Sequence, residues 1–110
     1  MLKKSLLSKE CRETSLAGVH HVVLRGFNYE RVFNDEEDRR KFLEILHQIT
    51  HPMDENGDPL PPYCTIYAYC LMTNHIHILL AEGTEQMSDT VERISEAYIN
   101  YYDNRYERQN

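Results

Sequence analysis

Residues 63–82 read YCTIYAYCLMTNHIHILLAE, two strand-like runs separated by a two-residue break. Runs rich in β-branched and aromatic residues with so short a break predict an antiparallel hairpin. The second run alternates aliphatic residues with two histidines, His75 and His77. Because successive side chains of a strand point to opposite faces, we expect the aliphatic residues to face a core and the two imidazoles to share the uncovered face.

Three further segments lie outside the hairpin. Residues 19–25, VHHVVLR, predict a first strand because β-branched residues dominate them. A helix is expected to begin with Asn34 as its N-cap and to end near His51, since apolar residues recur between them at helical spacing. Residues 88–108 predict a second long helix with Ser88 as its N-cap.

The order strand, helix, strand, strand, helix is typical of an α+β fold, a ferredoxin-like plait in which helices cover one face of an antiparallel sheet. The 110 residues form a single domain, 1–110, with residues 1–16 expected to be a flexible leader. One strand is missing from the full β-α-β-β-α-β order, so we expect the chain to lack the C-terminal strand of the plait.

Composition limits the classes of function. The net charge of −6 argues against binding nucleic acid by bulk electrostatics, although a local basic face is compatible with it. The only apolar piece near the N-terminus, residues 5–8, is too short for a signal peptide or a membrane span, so a cytoplasmic location is the expectation. Three cysteines without a CxxC pair predict reduced thiols.

Two interpretations of His75 and His77 follow from their spacing. Residues i and i+2 of a strand have Cα atoms about 7 Å apart, so both imidazoles can converge on one metal ion. Alternatively, both are polar residues of a solvated sheet face. Two ligands do not complete a metal site: a nucleic-acid phosphate as the remaining ligand would suit Mg²⁺ or Mn²⁺, whereas a third histidine would suggest zinc.

Four blocks of the sequence resemble the single-tyrosine HUH transposases, the IS200-like and REP-associated tyrosine transposases. The first is the strand that ends in Arg25-Gly26 with Asn28 close behind, and the second is Val32-Phe33 before an acidic helix start. The third is YCLMTNHIHILL, residues 69–80, and the fourth is YINYYDNR, residues 98–105. The blocks occur in the family's order, and the resemblance covers about residues 17–108.

The resemblance implies a metal-dependent endonuclease and strand transferase that acts on single-stranded or hairpin DNA as a homodimer. His75 and His77 match the histidines that bind the divalent cation, Mg²⁺ or Mn²⁺. Arg25 and Arg31 are the candidates for contacts to the DNA backbone. The family's nucleophile is a tyrosine on a later helix, and no tyrosine of this chain matches that position.

Three hypotheses remain. The first is a transposase whose chain is catalytically incomplete, without the tyrosine helix. The second is a catalytically silent remnant that still folds, dimerises and binds DNA. The third is a small metal-binding protein with no role on DNA.

Overall fold

The structure is a computed structural model that describes residues 6–107. Within this range four strands and two α-helices form. In chain order the elements are β1 (Leu7–Glu13), β2 (Val19–Gly26), a 3-10 turn (Phe27–Tyr29), α1 (Glu36–Thr50), β3 (Cys64–Met72), β4 (His75–Glu82) and α2 (Met87–Tyr106).

The strands form one antiparallel sheet in the order β1-β2-β4-β3. Strand β4 lies between β2 and β3, so the connection through α1 passes over one strand, as in a split βαβ unit. Alternate residues of β2 and β4 are buried in one core with the apolar residues of α1 and α2. The predicted α+β fold, an antiparallel sheet with helices on one face, is confirmed.

Strand β1 corrects the prediction for the N-terminal segment. The flexible leader predicted for residues 1–16 is wrong for Leu7–Glu13, which pair along their whole length with β2, while residues 1–5 lie outside the described residues. A strand that followed α2 by a crossover over one strand would reach this same edge of the sheet, beside β2. The N-terminal segment therefore holds the edge position beside β2 that the last strand of a β-α-β-β-α-β plait would occupy.

The core is centred on an aromatic cluster between the two helices. The rings of Phe33, Phe42 and Tyr98 meet edge to face, with centroids 5.5 to 5.8 Å apart. All three side chains are almost completely buried, and the Tyr98 hydroxyl donates a hydrogen bond to the carbonyl of Val32. Edge-to-face contacts suit the aromatic quadrupole, so this cluster fixes how α2 lies against α1.

Both helices start at residues other than those predicted. The N-cap of α1 is Asp35 rather than Asn34, and its carboxylate accepts a hydrogen bond from the Asp38 N–H at 3.1 Å. Asn and Asp cap helices equally well, so adjacent candidates cannot be ranked from the sequence. Helix α2 begins at Met87, whose N–H donates to the Glu82 carboxylate at 2.6 Å, so Ser88 is not its cap. The predicted end of this helix, residue 108, lies outside the described residues.

Asp38 joins the start of α1 to the end of α2. Its side chain is fully buried. One carboxylate oxygen accepts from the Tyr101 hydroxyl at 2.7 Å and from Arg105 at 2.6 Å. The other accepts from the Tyr106 hydroxyl at 2.6 Å and from the Asn34 N–H at 2.8 Å. Four donors therefore satisfy one buried charge, which otherwise would be costly to desolvate.

The pKa of Asp38 follows from these contacts. Burial alone would raise it, but the hydrogen bonds from Tyr106, Asn34, Tyr101 and Arg105 outweigh burial and lower it. The hydrogen bond from Arg105 likewise lowers the pKa of the neighbouring Asp35 to about 2. Both carboxylates are therefore charged at neutral pH.

Replacing Asp38 tests the importance of this cluster. Asp38→Asn places an amide N–H₂ group against two donors and removes the charge that faces Arg105, so we expect a loss of about 3 kcal/mol in the free energy of unfolding. Urea unfolding at pH 7 measures it. Glu36→Gln, an exposed carboxylate on the same turn of α1, is the control and should cost under about 0.5 kcal/mol. Equal losses of stability in Asp38→Asn and Glu36→Gln would contradict the importance of the Asp38 cluster.

The lowered pKa of Asp35 predicts an acid-dependent loss of stability. Asp35 has a pKa near 2 in the folded state and about 3.9 when unfolded, so its ion pair stabilises the fold above the unfolded value. This contribution disappears as the pH falls through about 4 to 2. Urea midpoints between pH 5 and pH 2 should fall less steeply for Asp35→Asn than for the unaltered chain or for Asp58→Asn. Urea midpoints that fall equally steeply in Asp35→Asn and in the unaltered chain would refute this prediction.

Candidate metal centre

The two histidines of β4 lie on the face of the sheet that the helices do not cover. Ile76, Ile78 and Leu80 are fully buried in the core, and the alternate positions His75 and His77 are half-buried. The predicted alternation of this strand is confirmed. Strand β4 has a neighbour on each side, so both imidazoles stand near the middle of the uncovered face.

The orientation of His75 is set by its neighbour Asn74. The Nδ1 atom of His75 lies 2.7 Å from the Oδ1 atom of Asn74. An amide oxygen only accepts, so Nδ1 carries the proton and the lone pair of the ring is on Nε2. This Nε2 atom has no hydrogen-bond partner within residues 6–107. Asn74 was not among the residues predicted for this site. Its only signal in the sequence is its position directly before His75.

The orientation of His77 is set from the neighbouring strand β2. The Nε2 atom of His21 lies 2.9 Å from the Nδ1 atom of His77, and their rings stack with centroids 5.1 Å apart. Desolvation first, and then the nearby His75, His21 and Arg25, lower the pKa of His77. A neutral imidazole is the form that binds a metal. His20, which precedes His21, is directed to the opposite face and opposes Leu80.

The rings of His75 and His77 lie 4.9 Å apart at the edge of a cavity of about 350 Å³. The residues that line this cavity are Arg25, Tyr29, Asn74, His75 and His77. Arg25, a predicted DNA contact, is therefore next to the histidines, although its guanidinium also pairs with Glu10 of β1 at 2.9 Å. Arg31, the other predicted contact, is exposed and does not line the cavity.

The two histidines fit part of a metal site. Each has its Nδ1 engaged by a neighbour, an arrangement that commonly orients metal-binding histidines for ligation through Nε2. Within residues 6–107 no group of three or more His, Cys, Asp or Glu side chains is placed to hold a metal ion. The remaining ligands of a site here would have to come from other groups, such as a phosphate or water.

Gly26 makes the loop beside the cavity possible. A Cβ atom at Gly26 would lie 2.0 Å from the carbonyl oxygen of Glu30, so any other residue here would force the loop to shift. The loop is tied at both ends to the turn before His75: the Gly26 N–H donates to the Asn74 carbonyl at 2.8 Å, and the Val32 N–H donates to the Thr73 carbonyl at 2.8 Å. The Arg-Gly block and the histidine block thus form one unit.

The tyrosines of α2 lie on the covered side of the sheet. Tyr98 belongs to the core, and burial raises its pKa far above the usual range. Tyr101 donates to Asp38, and burial with this hydrogen bond raises its pKa to about 12. Tyr106 also donates to Asp38, and the Tyr102 hydroxyl accepts from Asn34 at 2.9 Å. None of these four hydroxyls lines the cavity beside the histidines.

All three cysteines are free, Cys64 buried and the other two exposed. Residues 6–107 include no helix with the length and hydropathy needed to cross a membrane. A β-bulge between Ile66 and Ala68 shifts the register of β3 against β4, so strict alternation does not hold along this strand.

An antiparallel plait with a His-x-His pair on its uncovered face defines a recognisable class of α+β protein. The family model described as "Transposase IS200 like" matches residues 15–110. The chain therefore belongs to the IS200-like transposase family, which implies a role in DNA transposition and binding to DNA. The family generally depends on a divalent metal. No curated protein and no solved structure matches the chain.

Gly26→Ala tests the contact between the loop and the histidine turn. The added methyl group must displace Glu30, so we expect a loss of about 1–3 kcal/mol in the free energy of unfolding. Amide NMR shifts should change at residues 26–33 and 73–75. Gly57→Ala is the matched control, since a Cβ there meets no atom within 4 Å and only its φ of +84° opposes the change. Unchanged shifts at 73–75 in Gly26→Ala would show that the two blocks are independent.

Proposed function

We propose that this chain is a divalent-cation-dependent endonuclease and strand transferase for single-stranded DNA that is catalytically incomplete, because none of its tyrosines matches the position of the family's nucleophile. The observation that carries the proposal is the paired orientation of His75 and His77. Asn74 engages Nδ1 of the first and His21 engages Nδ1 of the second, and both Nε2 atoms are available on the open face. The spacing of the two rings and the neighbouring Arg25 support a site for one phosphate group.

In this proposal His75 and His77 hold the cation, Mg²⁺ or Mn²⁺, through their Nε2 atoms. His77 then donates its Nδ1 proton to Nε2 of His21, so His21 acts as a positioning residue. The bound cation would neutralise charge on the oxygens of a scissile phosphate. Arg25 supplies a cationic hydrogen-bond donor to the same phosphate or its neighbour, exchanging Glu10 for DNA. Arg31 contacts the backbone farther from the histidines.

Binding of the single strand is proposed on the uncovered face of the sheet. Hairpin DNA with a single-stranded extension is the proposed substrate. The net charge of −6 means that local contacts, rather than bulk attraction, hold the DNA. The three free thiols support a reducing, cytoplasmic location.

A homodimer is part of the proposal. Strand β3 forms one edge of the sheet and has β4 on one side only, within the described part of the chain. An unpaired edge can pair with the same edge of a second copy. Chemical crosslinking and sedimentation measure this directly.

A second candidate function is a DNA-binding module without cleavage activity. The position of the α2 tyrosines favours it, because all four hydroxyls are engaged on the side opposite the histidines. The two candidates differ in whether a tyrosine hydroxyl of this chain can still attack the phosphate and form a covalent link to DNA. The third hypothesis, a metal-binding protein with no role on DNA, conflicts with the role implied by the family.

Paired-histidine variants test the metal site. His75→Ala with His77→Ala should weaken Mn²⁺ binding at least ten-fold in titration calorimetry, because both ligand nitrogens are removed. His47→Ala with His51→Ala is the matched control, since these histidines also stack as a pair, with centroids 4.2 Å apart, but on α1 and its C-cap. Equal Mn²⁺ affinity in the unaltered chain and in the β4 variant would overturn the metal assignment.

A hairpin oligonucleotide with a labelled single-stranded extension, incubated with Mn²⁺, separates the candidates. A covalent adduct that survives denaturation, and that the β4 variant does not form, supports the endonuclease. Binding without an adduct supports the silent module. If neither binding nor an adduct is found, both candidates fail and only a metal-binding role remains.

A further inference from the structure

Tyr29 is exposed beside the histidines. Its side chain is 82% accessible to solvent, the highest value among the large exposed hydrophobic residues. It also lines the cavity of about 350 Å³ to which His75, His77 and Arg25 contribute. Tyr29 thus shares a cavity with both histidines, whereas Tyr69 shares a different cavity with His77 and His21.

The backbone of Tyr29 adopts an unfavourable conformation. Asn28 and Tyr29 have φ values of 54° and 61°, in the left-handed region that bulky residues rarely occupy. Such a conformation persists only where the surrounding structure holds it in place, and it is frequent at ligand sites. Here the Phe27 N–H donates to the Leu6 carbonyl at 2.8 Å and the Glu30 N–H to the Phe27 carbonyl at 3.0 Å, so both ends of the turn are held.

An exposed aromatic ring beside a phosphate site suits a nucleobase. Single-stranded nucleic acids are commonly bound by aromatic side chains that stack on unpaired bases while cationic groups contact the backbone. Arg25 supplies the cationic group in the same cavity. Besides the histidines, Tyr29 is the only aromatic residue that lines this cavity within the described residues, so one base is the expected occupant.

We propose that Tyr29 is a stacking platform for the unpaired base adjacent to the phosphate held at His75 and His77. This inference rests on the proposed function and adds a residue that positions the single strand. The aromatic ring carries the contact, and the hydroxyl is not required. The contact does not depend on the identity of the base, because every base has a π-face.

Two substitutions separate the ring from the backbone conformation. Tyr29→Asn removes the ring, and asparagine accepts the left-handed region well, so the turn is preserved. Tyr29→Phe keeps the ring and removes the hydroxyl. Tyr67→Asn is the matched control, because Tyr67 is also exposed, at 60%, but lines none of the cavities beside the histidines.

The assay uses hairpin DNA with a single-stranded extension that carries 2-aminopurine at successive positions, with Mn²⁺ present. Tyr29→Asn should weaken binding about five- to one-hundred-fold, while Tyr29→Phe and Tyr67→Asn stay within about two-fold of the unaltered chain. Stacking should quench the fluorescence at one position in the unaltered chain and Tyr29→Phe, but not in Tyr29→Asn. Mn²⁺ affinity without DNA should be the same in all four proteins.

Several results would overturn the inference. Equal DNA binding by Tyr29→Asn and the unaltered chain would remove the role of the ring. An equal loss in Tyr29→Phe would assign the contact to the hydroxyl, and an equal loss in Tyr67→Asn would make the effect unspecific. If the unaltered chain bound Mn²⁺ but no DNA, the proposed function would fail first and this inference with it.

Discussion

The two-residue period of β4 is the constraint on which the rest of the structure depends. Its buried side chains complete the core beneath α1 and α2, and the residues between them place two imidazoles on the other face. A slip of one residue in its pairing would bury both histidines and expose three aliphatic side chains. The flanking strands β2 and β3 hold the register on both sides, so the same pairing secures the fold and the candidate metal site.

Neighbouring elements set the orientations and the proton positions of these two imidazoles. The turn before β4 contributes Asn74, which sets the proton position of His75, and β2 contributes His21, which does the same for His77. Away from the open face, Asp38 connects the two helices through hydrogen bonds from α2. This network engages Tyr101 and Tyr106. Tyr98 donates to the Val32 carbonyl and the Tyr102 hydroxyl accepts from Asn34, so all four hydroxyls of α2 are engaged away from the open face.

The strongest parts of the fold were predictable from sequence because their signals are local. The alternation of β4 and the helical spacing of α1 each involve neighbouring residues of one segment. Strand β1 was missed because its residues are mostly charged and exposed, and an edge strand of this kind has the same composition as a leader. Asn34 and Asp35 are equally good N-caps, so the predicted start of α1 was one residue too early. His21 contacts His77 across 56 residues of sequence, and Tyr29 lines the histidine cavity from a distant loop, so no local pattern reports these contacts. Asn74 directly precedes His75, but sequence alone does not show that its amide contacts that ring.

The hydrogen bonds between residues 26–33 and the turn at Thr73–Asn74 have a consequence for variation in chain length. An insertion or deletion in residues 26–33 or in the Thr73–Asn74 turn would break a hydrogen bond between these two segments. It would also displace Asn74, the neighbour of His75. The turn-rich segment at 52–62, which closes on itself through the Leu60 N–H and the Pro52 carbonyl, has no such counterpart on the open face. Differences in length among related chains should therefore concentrate in that segment, where a label or an inserted peptide would be tolerated best.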